Sequence, residues 1–169
     1  KMTCEVFEDI LAFEERADIG DGWFHGVAVN DEIHISSASH ADVAVVENGL
    51  LMAALRVRVT MRVPKSFDFA TMRRSEERTE FVIDSTIRMR EGKDYLEIET
   101  RIDNNADDHR VRVLFPTGAD TQTFITDTPF DVVERPIAIR ADNHLYAELE
   151  VETKPQQSFT AAFDRKRGL

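Results

Sequence analysis

One stretch of this 169-residue chain concentrates residue types suited to recognition chemistry. Ala17-Asp18-Ile19-Gly20-Asp21-Gly22-Trp23-Phe24 places two aspartates, two glycines and the only tryptophan within eight residues. Glycine allows a tight turn that presents neighbouring side chains outward. An aromatic face packs against the C–H groups of a sugar ring, and carboxylates accept hydrogen bonds from its hydroxyls. The Ala17–Phe24 stretch is therefore a candidate substrate-binding segment. A structural reading stands beside this one: Gly20-Asp21-Gly22 makes a turn, and Trp23 opens a strand and fills a core.

The remaining chemistry is sparse. The five histidines are His25, His34, His40, His109 and His144, and none sits in a compact ligand cluster such as His-Glu-x-x-His. His40-Ala41-Asp42 is an isolated His-x-Asp after a Ser-rich turn. His34 alternates with Ile33 and Ile35, which places it on the outer face of a strand. Cys4 has no basic neighbour beyond Lys1 to lower its pKa. No Gly-x-Ser-x-Gly elbow occurs. With 32 acidic residues, any two carboxylates carry little information, and a glycosidase needs two at a defined separation. No catalytic residue and no metal ligand is assigned.

The elements that must position these residues are strands. Leu55, Val57, Val59, Met61 and Val63 alternate with Arg56, Arg58, Thr60 and Arg62 up to Pro64, a period of two. Phe81, Ile83, Ile87 and Met89 repeat the pattern. After the turn Glu91-Gly92-Lys93-Asp94, Leu96, Ile98 and Ile102 oppose Glu97, Glu99, Arg101 and Asp103. A polar turn at Asn104–Asp108 leads into Arg110–Phe115. The expected central strands are Arg56–Val63, Glu80–Arg90, Tyr95–Asp103 and Arg110–Phe115, in an antiparallel meander. Leu55, Val57, Val59, Phe81, Ile83, Ile98, Val111 and Val113 are expected to be buried. Shorter strands are expected at Glu5–Arg16, Trp23–Val29, Glu32–Ser36, Gln122–Thr126, Val132–Glu134 and Leu145–Thr153. Glu47-Asn48-Gly49 reads as a hairpin turn. Arg88 and Arg90 can pair with Glu97 and Glu99 across their hairpin. The fold class is all-β, an antiparallel β-sandwich. It spans 1–169 as a single domain or as a fragment of a larger enzyme, since both ends read as cut.

Composition bounds the partners. A net charge of −11 argues against a phosphate backbone, so no nucleic acid is expected, and Arg165-Lys166-Arg167 is too short a basic run to change that. No stretch approaches 18 apolar residues, so no membrane span is expected, and no signal peptide is visible. With one cysteine, no internal disulfide can form, which permits a reducing compartment.

Two motifs carry a resemblance. The run Asn104-Asn105-Ala106-Asp107-Asp108-His109-Arg110-Val111-Arg112-Val113-Leu114-Phe115-Pro116-Thr117 resembles the D-N-x-x-x-D-H-R-x-R-V-L-F-P-T segment of the family 38 glycoside hydrolases, the α-mannosidase-like enzymes. Phe130-Asp131-Val132-Val133-Glu134-Arg135-Pro136 is similar to that family's F-D-V-V-E-R-P signature. The resemblance implies a parent with an N-terminal α/β barrel that holds zinc, an aspartate nucleophile and an acid/base carboxylate. This chain resembles the start of the β-sandwich region that follows, a supersandwich-like fold. The zinc belongs to the absent catalytic domain, and no cofactor is expected here. The implied partners are the barrel, later sandwich strands and an α-mannoside. The resemblance leaves room for a homo-oligomeric, cytoplasmic, bacterial parent. It leaves open whether the substrate is an α-mannoside or mannosylglycerate or its phosphate. The family carries an early G-D-x-Y or S-G-x-Y stretch whose aromatic residue reaches into the barrel's site. By that motif Asp21 takes the acidic position and Trp23 the aromatic one, with Trp replacing the commoner Tyr and removing a phenolic hydroxyl. A stand-alone carbohydrate-binding sandwich and a purely structural domain are the alternatives.

Overall fold

The computed structural model describes residues 10–20, 28–30, 32–147, 150–166 and 168. Its regular elements are strands and two 3-10 turns, and the sheets are antiparallel throughout. The chain divides into two compact units, 1–115 and 116–169.

The first unit contains β1 (Ala12–Ala17), β2 (His34–Ile35), β3 (Ala41–Asn48), β4 (Met52–Pro64), β5 (Phe67–Asp68), β6 (Arg73–Arg74), β7 (Arg78–Arg90), β8 (Leu96–Asp103) and β9 (His109–Leu114). Strands β3-β4-β7-β8 form one sheet, β2-β1-β9 a second, and β5-β6 a small ribbon. The period-two pattern has its expected outcome here. In β4 and β7 the odd-numbered residues turn inward, so that Met61 stands opposite Phe81 and Val59 opposite Ile83. Phe13 of β1 closes on them from the other sheet, and Met61, Val63, Phe81, Ile83 and Ala106 complete the core. Gly92 makes the β7–β8 turn at φ +73, a left-handed conformation that suits a residue without Cβ.

The two sheets are unequal. Strands β4 and β7 each run thirteen residues, whereas β1 and β9 run six. At the usual rise these lengths are about 43 Å and about 20 Å, so the short sheet covers one end of the long one. Burial follows that geometry. Phe81 and Ile83 are buried, and Val57, Val59 and Val111 are half-buried. Leu55, Ile98 and Val113, expected to be buried, are 42%, 40% and 42% exposed; Ile98 and Val113 wall an open groove between the two sheets instead of a closed core. The inward-facing row Val45–Leu55–Ile87–Ile98 crosses all four strands, and Val45 and Leu55 at one end of it stand exposed.

Local differences from the sequence reading have local causes. Strand β3 was not anticipated, because Ala41–Asn48 mixes Val and Ala without strict alternation. A bulge at Val46 shifts its register between Val45 and Glu47. The β5–β6 ribbon was too short to carry a pattern. The Trp23–Val29 expectation lies mostly outside the described residues.

In the second unit, β10 (Thr123–Asp127) pairs with β11 (Val132–Pro136) and with β12 (Thr160–Ala161). The Asp127 carboxylate accepts backbone N–H bonds from Gln157, Ser158 and Phe159 at 3.1, 2.9 and 3.1 Å. The Ser158 hydroxyl and these amides hold it well below the usual carboxylate range. The expected strand at Leu145–Thr153 is absent among its described residues. Asn143–Leu145 is a 3-10 turn, and Asn143 ties back to Glu150 through two side-chain–backbone bonds of 2.9 and 2.7 Å.

Phe81→Ala should lower the stability of the chain by about 3–5 kcal/mol, whereas Ile98→Ala should cost less than about 1 kcal/mol, since its side chain is already wet. Urea unfolding of the two variants checks the contrast. Equal losses would mean that the far half of the sheet is covered.

Candidate functional site

Asp21 and Trp23 lie outside the described residues, as does His25. The described residues on either side, up to Gly20 and from Ala28, are anchored. Ala17, Ala28 and Phe67 form a small buried cluster with Ile19 packed against it. The Asp18 N–H donates to the Asp108 carbonyl at 2.9 Å, and the Val29 N–H donates to the Met72 carbonyl at 3.0 Å. Asp108 reaches this position with φ 54, a conformation that Asp tolerates better than most residues.

Beside this cluster lies a charge network in the core. In β1, Phe13, Glu15 and Ala17 share the buried face, so a carboxylate stands where the pattern wants an apolar side chain. The Glu15 side chain is fully buried, and its partners Arg74 and His109 are each 3% exposed. Arg74 grips it with both guanidinium ends, Nη1 donating to Oε2 at 2.8 Å and Nη2 to Oε1. His109 Nδ1 lies 3.0 Å from Glu15 Oε1, and its Nε2 lies 2.9 Å from Asn104 Oδ1. The imidazole also meets the Phe81 ring edge-to-face at 5.4 Å.

Burial alone pushes the Glu15 carboxyl up, but the hydrogen bonds and charges of His109 and Arg74 outweigh it and hold the group below its ordinary value. Removing one partner of such a network costs on the order of 3–5 kcal/mol, whereas a well-packed apolar substitute is often neutral or stabilising.

A second charge group adjoins it. His34 pairs with Glu15 in register, and Arg78 Nη2 donates to Glu32 Oε1 at 2.6 Å. Burial holds His34 below its ordinary value, against the opposing pull of Glu32 and Glu15.

The other sequence candidates sit apart from these groups. His40 and Asp42 form a 3.2 Å surface pair, 85% and 75% exposed. Among the described residues, no three His, Cys, Asp or Glu side chains gather as a metal site, so zinc finds no donor set there. Arg88–Glu99 and Arg90–Glu97 pair across the β7–β8 hairpin as expected, each at 3.1 Å. Arg56 binds Asp84 on the same outer face. Solvent screens these exposed pairs, so they add little to stability. Glu134 accepts a hydrogen bond from Thr123 Oγ1 at 2.6 Å across the β10–β11 pair.

On the inner face, an apolar groove of about 370 Å³ opens between the sheets, walled by Leu11, Ile98, Ile102, Val111, Val113 and Phe115. The sequence reading did not anticipate Glu15 and Arg74. They are 59 residues apart, so no local spacing joins them. The one available signal was a glutamate in the apolar register between Phe13 and Ala17.

The chain matches the glycosyl hydrolases family 38 C-terminal domain over residues 2–169. It belongs to that family. It is similar to an α-mannosidase from Enterococcus faecalis V583, with TM-score 0.78 and 28% identity over 94% of this chain and 19% of that one. A family 38 glycosyl hydrolase structure from Enterococcus faecalis matches at TM-score 0.77 with the same identity and coverage. A Halalkalibacterium halodurans protein named as a mannosylglycerate hydrolase is 27% identical over 150 residues, 80% of this chain and 17% of that one. The chain thus spans less than a fifth of the length of these relatives. Both family-like motifs fall within this domain, and His109 of the first is a member of the buried network. No helix among the described residues is long and apolar enough to cross a membrane.

Acid should destabilise this family 38 domain in two steps. His34, with its folded pKa lowered, contributes stability that is complete above its ordinary 6.5 and is lost as pH falls below that. Glu15 contributes stability that is complete above its ordinary 4.5 and is lost as pH falls toward its lower folded value. Melting temperature against pH should decline gently below 6.5 and more steeply below 4.5. His34→Gln should remove the upper decline. A curve that rises as pH falls through this range would contradict the assignment.

Proposed function

We propose that this chain is a non-catalytic β-sandwich portion of a retaining, zinc-dependent α-mannosidase-type glycoside hydrolase. Its role is to support the catalytic barrel and to lend Asp21 and Trp23 to the sugar site. The acid/base, nucleophile and zinc belong to the barrel. The family match and the names of the relatives support the hydrolase class and an α-mannoside or mannosylglycerate substrate. Their bacterial sources support a bacterial parent, and we place it in the cytoplasm.

The observation that carries this reading is the uncovered half of the inner sheet face. Val45, Leu55, Met89, Leu96 and Ile98 stand exposed there. Covering a large apolar side chain contributes about 1.5–3 kcal/mol. Among the described residues, β3 and β8 are sheet edges, and β3 exposes Val43, Val45 and Val46. A self-sufficient binding module has blunted edges and a closed core. The occupant we assign to this face is the rest of the parent's own sandwich, because the similar proteins are more than five times as long as the part matched.

Leu55→Lys together with Ile98→Lys should leave the melting temperature of the chain alone nearly unchanged, and should lower that of the intact enzyme. The chain alone should neither bind methyl α-mannoside in calorimetry nor release nitrophenol from 4-nitrophenyl α-mannoside. Sugar binding by the chain alone would favour a stand-alone carbohydrate-binding module, and hydrolysis would overturn the non-catalytic reading.

The loop has its own test. In the intact enzyme, Trp23→Ala should lower kcat/KM roughly ten- to hundredfold with folding preserved, the loss of about 1–3 kcal/mol of sugar contact. A core tryptophan would instead cost about 3–5 kcal/mol of stability and leave the activity of the folded fraction normal.

A further inference from the structure

We propose that the edge of β8 is built to accept a further β-strand, supplied in the intact enzyme by another part of the same polypeptide. This rests on the reading of the chain as a portion of a larger hydrolase. It goes beyond that reading by naming the kind of element that closes the open side and the main-chain hydrogen bonds that hold it.

Sheet order comes first. In the large sheet β8 stands at one end, bonded to β7 alone among the described strands. Its register with β7 runs without a break from Met89 opposite Leu96 to Val82 opposite Asp103. Every second residue of β8 therefore turns its N–H and C=O away from β7. All residues of the strand are exposed except Glu97, which is half-buried.

Free edges of complete domains are blunted by proline, by a bulge, by short length or by an inward-pointing charge. Strand β8 has none of these devices. Leu96–Asp103 contains no proline, runs eight residues and pairs with β7 in unshifted register. The residues on its groove side, Leu96, Ile98, Thr100 and Ile102, are all uncharged. The opposite edge of the same sheet differs, because β3 carries the bulge between Val45 and Glu47. In the other sheet the β2 edge is only two residues long. A long, straight edge with an uncharged inner row is a template for pairing, and strand addition uses such a template.

The surroundings of the edge specify the incoming strand. Ile98, Thr100 and Ile102 wall the groove of about 370 Å³ on one side, and Val111 and Val113 of β9 wall it on the other. An apolar cavity of about 150 Å³ holds a benzene ring, so the groove has room for at least two large apolar side chains. A strand laid beside β8 points alternate side chains into it. Thr100 is no obstacle, because its hydroxyl is already paired with Ser85 at 2.9 Å. On the outer side, Glu97 is engaged by Arg90 and Glu99 by Arg88 and Arg101. Asp103 has no side-chain partner among the described residues. A Lys or Arg on the added strand, opposite Asp103, supplies one. The occupant is thus a strand of period two, apolar towards the groove and basic or polar outward. Its source is the remainder of the parent, since the matched region covers only 17% and 19% of the relatives. A helix or loop laid over the face would cover the same apolar side chains without bonding the β8 backbone.

Amide hydrogen exchange separates these two modes. In the chain alone, the β8 amides that point away from β7 should exchange freely, while those bonded to β7 are protected. In the intact enzyme the outward amides should slow by about a hundredfold or more. Ile102→Lys puts a charge on the groove side of the edge, which opposes strand pairing. It should leave the melting temperature of the chain alone nearly unchanged, because Ile102 is already 41% exposed. In the intact enzyme it should return the outward amides to free exchange. If that variant does not fold, the unsubstituted pair decides the matter. If the outward amides exchange equally fast in both forms, while Leu55→Lys with Ile98→Lys lowers the melting temperature of the intact enzyme, the face is covered without an added strand. Strand addition is then ruled out and the parent reading survives. If the double change is also without effect, the parent reading fails and strand addition fails with it. Outward amides already protected in the chain alone would mean that β8 is not a free edge, and would overturn the proposal.

Discussion

A sheet of thirteen-residue strands cannot be covered by a sheet of six-residue strands, and the rest of the first unit follows from that mismatch. Where the two overlap, Phe13 closes on Met61, Val63, Phe81 and Ile83 and a dry core forms. Beyond the overlap the same alternation continues, and the same kinds of side chain stand in water. Exposed apolar surface of this extent has a free-energy cost that a complete domain would avoid. This exposed face supports the proposal that the domain is one part of a larger enzyme, and the chain spans less than a fifth of the length of the relatives it matches.

At the covered end, the core is closed by charges in place of hydrocarbon. Glu15 is withdrawn from water completely, and Arg74 and His109 are withdrawn with it. Each would be costly alone, and together they compensate one another. The arrangement ties β1, the β5–β6 ribbon and β9 into one junction.

Much of the scaffold was legible along the chain. Strict alternation placed β4, β7, β8 and β9, and the Arg and Glu residues on the outer faces pair much as a hairpin register requires. Less was legible where the signal is short or mixed. Strand β3 alternates poorly because it is an edge with a bulge, so neither face imposes a pattern. The described residues of Leu145–Thr153 form no strand, because the Asn143 side chain closes a turn onto the Glu150 backbone. For the site, the family motif singled out Asp21 and Trp23, which lie outside the described residues.

The sequence alone determined which residues turn inward, because the side-chain period of a strand is a local property of the backbone. It also carried the two motifs that mark the family. It did not determine which inward residues are dry, because burial depends on how far the opposing sheet extends. Leu55 and Phe81 read alike in the alternation and differ only in what lies across from them. Nor did it determine the role of His109, whose partners Glu15 and Arg74 are distant in the chain. Only the tertiary structure brings a carboxylate, a guanidinium and an imidazole together, since charges pair by distance in space and not by spacing in sequence.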